Sequence, residues 1–175
     1  MKKLFLTCMA LVISGGLSAQ TDVSQKPKND AEITNALMTV NTQEMTMAKV
    51  AKENAENPEV KKFADMMFKE HAKNNDKASN LAKAENIKLK ETKSSMNLKF
   101  TSEDKVEELK TLKGKEFDKE YMQTQVDMHK KVLEKLDNTL IPNAKSEDLK
   151  AMLETTRTNI EGHLKHAQKI QSTLL

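Results

Sequence analysis

The sequence predicts an all-α protein folded as a four-helix bundle with one long crossover. Three observations carry that prediction. Ala, Lys, Glu, Met and Leu, all good helix formers, dominate the chain. Only 4 Gly and 3 Pro interrupt its 175 residues. Four long segments each repeat apolar residues at alternating steps of four and three, the spacing of one buried helix face.

The chain opens on MKKLFLTCMALVISGGLSAQ: two lysines, an apolar run from Leu4 to Ile13, then small residues. This is the layout of a secretory signal peptide over residues 1–19, with cleavage expected near Ser18 to Gln20. The run is shorter than the roughly 20 residues that span a bilayer, and every later segment is richly charged. A lipid anchor would need Cys8, which lies inside the apolar run and too near the terminus. Residues 20–29 are polar, contain Pro27 and read as a short flexible linker. The domain occupies residues 30–175, enough chain for one real core. Cys8 is the single cysteine, so the exported protein would be held by packing or by a metal.

Helix one is expected from about Asp30 to Glu56, with Ile33, Leu37, Val40, Glu44, Met47 and Ala51 on its inner face. Glu44 is the polar exception. Helix two starts at Asn57 as N-cap with Pro58 in the first helical position. Its face runs Val60, Ala64, Met67, His71, Asn74, Ala78 and Leu81, and the tight turn makes helices one and two an antiparallel hairpin. Residues 85–116 read as Lys-rich and irregular to Phe100, then a short helix over Ser102–Lys113 stopped by Gly114. That length can cross the bundle, the connectivity of ferritin-like folds. Helix three covers about Glu116 to Leu140, with Met122, Gln125, His129, Val132 and Leu136 inward, and ends at Ile141-Pro142-Asn143. Ser146 caps helix four, whose face runs Leu149, Leu153, Thr156, Ile160, His163, Ala167, Ile170 and Leu174. Each helix thus turns one ionisable residue inward.

Composition removes several function classes. The formal net charge is +3, and loss of Lys2 and Lys3 with the signal peptide brings it closer to zero. Outside that segment the aromatics are Phe63, Phe68, Phe100, Phe117 and Tyr121, too few for a base-stacking platform. Nucleic acid is not an expected partner. Gly114 and Gly162 cannot make a glycine-rich phosphate loop, so nucleotide is not expected either. No cysteine nucleophile remains after export, and no transmembrane segment.

The segments NPEVKKFADMMFKEHAK, FDKEYMQTQVDMHKKVL and EGHLKHAQKI resemble the bacterial family numbered 4142 among the domains of unknown function. The likeness covers roughly residues 31–172. It rests on the Asn57-Pro58 helix start, the Glu70-His71 pair and Phe117-Asp118 with Tyr121. The resemblance implies an exported, ferritin-like bundle and supplies no reaction.

The inward residues Glu44, His71, His129 and His163 are the candidate site. Glu44 and His71 are nearly equidistant from the Asn57 turn, both about 20 Å from it, and so are expected to face each other. His129 and His163 match less well, differing in height by roughly 8 Å about a square turn. A ferritin-like di-iron site needs Glu-x-x-His motifs; the residues three before the histidines are Phe68, Val126 and Ile160, which argues against it. Three imidazoles and one carboxylate suit a single zinc, iron or copper ion. His166 could pair with His163 but sits at the edge of the stripe, and the methionines read as core filler. The functional expectation is a non-enzymatic, periplasmic binding protein with a buried His/Glu site for a transition metal. The alternative is a structural or interaction module of the cell envelope, its histidines only hydrogen-bonded and packed.

Overall fold

The computed structural model describes residues 27–174. The signal peptide, Cys8 and the linker as far as Lys26 lie outside them. All the regular secondary structure of the described chain is helical. Helix α1 (Asp30–Asn54) begins where the Asn29 side chain accepts the Glu32 N–H. Helix α2 (Pro58–Ala84) begins where Asn57 accepts the Glu59 N–H at 2.8 Å, with Pro58 in the first turn. Helix α3 (Lys93–Thr111) fills most of the crossover, and α4 (Gly114–Lys135) follows a corner at which Gly114 takes φ of 60°. A π-helical segment (Leu136–Leu140) and one turn, α5 (Ile141–Asn143), lead to α6 (Glu147–Leu174).

Two of these elements differ from expectation. The crossover helix starts at Lys93, not Ser102, because Thr92 and Ser95 form a reciprocal capping box: each side chain accepts the other's backbone N–H. Its buried contacts are sparse, Ser95, Ser102, Val106 and Leu109, which is why no clear apolar stripe announces it. Helix three, expected to run regularly to about Leu140, is α-helical only to Lys135; a π-helical segment and α5 then carry the helical path to Asn143, within the expected Ile141-Pro142-Asn143 stop. The Pro142 ring crowds the carbonyl four residues back and offers no N–H. The backbone widens just before it, where the Ile141 N–H bonds to the Leu136 carbonyl in the i→i−5 pattern.

Helix α1 packs on α2, α4 packs on α6, and α3 runs along α1. Each hairpin grips the turn of the other. The buried Asp118 carboxylate on α4 accepts the backbone N–H groups of Glu56 (3.1 Å) and Asn57 (2.8 Å) in the α1–α2 turn. At the opposite end, Asp30 on α1 accepts those of Lys145 (2.8 Å) and Ser146 (3.0 Å). These contacts place the start of α4 beside the end of α1, so α4 runs parallel to α2 and the crossover traverses the molecule.

The apolar core is divided. One cluster, with Met47, Phe63, Met67, Phe117, Tyr121 and Met122, lies toward the α1–α2 turn. A second, with Ile33, Leu37, Leu136, Leu149 and Leu153, lies toward the α4–α6 connection. Between them sit buried polar residues contributed by all four long helices: Asn41, Glu44, His71, Gln125, His129, Thr156 and His163. No helix among the described residues is long and apolar enough to cross a membrane.

Candidate metal centre

His71, His129 and His163 come from α2, α4 and α6, and each falls on its helix's buried stripe. Their rings meet in the polar layer, with centroids 5.7 Å apart for His71 and His163, 5.5 Å for His129 and His163, and 6.3 Å for His71 and His129. One ligand atom from each lies within 4.8 Å of the other two. The height difference expected between His129 and His163 is reduced because the helical path continues past Ile141 to Asn143 before the chain turns.

One nitrogen of every ring is held by a neighbour. His129 Nδ1 lies 2.8 Å from the Gln125 carbonyl one turn back. A carbonyl only accepts, so that nitrogen carries the proton and Nε2 carries the lone pair. His163 Nε2 donates to the Glu70 carboxylate at 2.7 Å, which leaves Nδ1 as its acceptor. His71 Nδ1 lies 2.9 Å from Asn41 Oδ1, and donation to that oxygen leaves Nε2 with the lone pair. His71 Nε2, His129 Nε2 and His163 Nδ1 have no protein partner.

Charge on the rings is opposed by the surroundings. Burial pushes the His71 imidazolium down to about 3, helped by the proximity of His129 and His163. Burial likewise lowers His129 to about 4 against the Gln125 carbonyl. His163 is lowered by burial although Glu70 pulls the other way. At neutral pH the layer therefore holds three neutral imidazoles with unshared lone pairs, the protonation state in which histidine binds a metal. Held ring nitrogens of this kind are the usual surroundings of metal-bound histidine, fixing tautomer and orientation.

Glu44 lies beside this group and outside its tightest cluster. Its Oε1 is 3.9 Å from His129 Nδ1, and its Oε2 accepts from Gln125 Nε2 at 2.9 Å. Burial raises its carboxyl to about 7, while Gln125 and His163 pull it down. The helix-one partner of His71 is Asn41, about one turn before Glu44. His166 turns elsewhere, edge-on to Phe63 with centroids 5.4 Å apart. The Tyr121 hydroxyl is buried with no protein partner, and burial together with Glu44 raises it well above the ordinary phenol range.

Two participants escaped the sequence reading, and a third was read without its role. Asn41 lies next to Val40, which the four-three rhythm selected; Val40 is only half-buried and Asn41 is buried. Glu70 sits off the α2 stripe and is exposed, yet it reaches α6. Gln125 was visible on the inner face of α4, where its backbone and its side chain both contribute.

A family model described as a domain of unknown function (DUF4142) matches residues 16–170. No curated protein and no solved structure matches the chain.

Proposed function

The chain belongs to the DUF4142 family, and we propose that it is an exported, ferritin-like four-helix protein. We propose further that it binds one transition-metal ion, without catalysis, through His71, His129 and His163 beside Glu44. The observation that carries this reading is the set of three buried lone-pair nitrogens with no protein partner, each on a ring whose other nitrogen is held. Three acceptors gathered without a donor repel one another, and a cation relieves that repulsion. Glu44 supplies the negative charge that three neutral imidazoles lack. Its carboxyl, raised to about 7 by burial, would ionise readily next to a divalent ion.

The donor set suits zinc, copper(II) or iron(II). Bonds of ~2.0–2.1 Å in a tetrahedral site bring nitrogens to about 3.3 Å of each other. A spread of up to 4.8 Å therefore asks the rings to close by at most about 1.5 Å. Binding is favoured over catalysis because the broad surface grooves, such as those lined by Glu56, Asp118 and Thr173 or by Val40, Leu98 and Val132, involve none of the three histidines. The signal-like N-terminus and the two turn-gripping aspartates support the exported, bundled form.

The competing reading is a metal-free envelope module. It draws support from the polar ladder Thr156–Asn74–Asn41–His71, which fixes helix register with no ion. Elemental analysis of protein purified from its native compartment separates the two. About one equivalent of zinc, copper or iron in the wild type, lost in His71→Ala, is expected; negligible metal in both leaves the structural module.

A further inference from the structure

Among the described residues, Glu70 is the carboxylate that joins the buried histidines to solvent. Its side chain is 48% exposed, whereas that of His163 is 8% exposed. The His71 residue as a whole is 3% exposed and His129 1%. Glu44, the other acid of the layer, is buried at 1%. Among the described residues Glu70 forms no ion pair with any lysine or arginine, and its hydrogen-bond partner is the neutral His163 ring, at 2.7 Å. The adjacent lysine, Lys69, is committed to Asp65 at 2.5 Å. A free negative charge thus stands at the α2–α6 seam in direct contact with the least buried of the three rings.

We infer that Glu70 is the portal of the metal site: it captures the cation at the α2–α6 seam and hands it to His163, so that it sets the rate at which the site loads. This rests on the metal-binding reading above. Two properties of the contact support it. A carboxylate held at the exposed edge of a low-dielectric interior attracts cations there and speeds their association. The same carboxylate holds the Nε2 proton of His163, keeping the Nδ1 lone pair turned toward the site. An ion that reaches Glu70 meets a ring already in the accepting tautomer. Loss of the charge alone slows capture; loss of the acceptor also loosens the ring.

The two functions separate in Glu70→Gln and Glu70→Ala. Glutamine retains a carbonyl acceptor for His163 and lacks the charge; alanine lacks both. The probe is Co²⁺ mixed with metal-free protein in a stopped-flow spectrometer, at low and high salt, with Glu107→Gln on α3 as the control for loss of a surface carboxylate. Expected are a roughly three- to tenfold slower association in Glu70→Gln at low salt, narrowing at high salt, with little change in dissociation. Glu70→Ala should in addition bind about 10–100-fold more weakly, and the control should match the wild type. Wild-type association rates in Glu70→Gln, or a change confined to dissociation, overturn the portal assignment while leaving the metal site standing. No Co²⁺ binding by the wild type overturns both.

Discussion

His129 illustrates how a helix decides which nitrogen of a histidine is available. The Gln125 carbonyl one turn back claims Nδ1, so Nε2 alone faces the layer. The three histidines were legible in the sequence because each occupies a position that the helical period reserves for apolar residues. Their partners were not. Asn41 and Glu70 depend on how neighbouring helices are rotated and spaced, which the periodicity of one helix does not record. Glu44 was legible as an inward acid, though its hydrogen bond to Gln125 on α4 was not. It is also the residue where stability and binding conflict. Its folded carboxyl is raised to about 7 from an ordinary 4.5, so its ionisation disfavours the fold increasingly as pH climbs from 4.5 to 7, with the full cost above that. Glu44→Gln should therefore stabilise the metal-free protein at pH 8 by on the order of 1–3 kcal/mol in urea unfolding. It should also weaken metal binding. Equal or lower stability of the variant at pH 8 would contradict the buried-carboxyl account.

At the scale of elements, the long helices of the two hairpins could be read almost residue by residue. On α6 the predicted stripe from Leu149 through Ile170 is buried throughout. The crossover could not be read so closely, because α3 rests on a capping box and a few small or apolar contacts instead of a continuous stripe. The Phe117-Asp118 pair, quoted for its family likeness, has a concrete task. Asp118 closes the α1–α2 turn from another helix with two backbone hydrogen bonds. Hydrogen bonds to a charged group are worth about 1.5–3 kcal/mol each, and orphaned buried donors add cost. Asp118→Ala should lower unfolding stability by roughly 2–4 kcal/mol. Asp118→Asn, which keeps one acceptor, should lose less. A change below about 0.5 kcal/mol in Asp118→Ala would show that the turn holds itself.

Across the whole molecule, the core is two apolar clusters separated by a layer of polar groups, several of them without protein partners. Such a layer makes the metal-free fold sensitive to acid. The histidines have folded values below the ordinary 6.5. Below pH 6.5 the unfolded chain takes up protons that the folded chain refuses, so stability falls as pH falls toward the folded values. Glu44 has the opposite sign: it is held protonated in the fold and partly offsets the loss. With three groups against one, the metal-free protein should lose on the order of 1–2 kcal/mol per pH unit between pH 6.5 and 5. Urea midpoints across that range measure it, and His71→Asn should flatten the dependence. A midpoint independent of pH would mean that the rings are not held neutral.

Titration of the metal-free wild-type protein with Co²⁺, followed by visible absorption, tests the central claim most directly. One equivalent bound per chain, with d–d bands of a nitrogen-rich site that disappear in His129→Ala and His163→Ala, is the predicted result. Absence of saturable binding, or an identical titration in folded variants lacking either histidine, would contradict it.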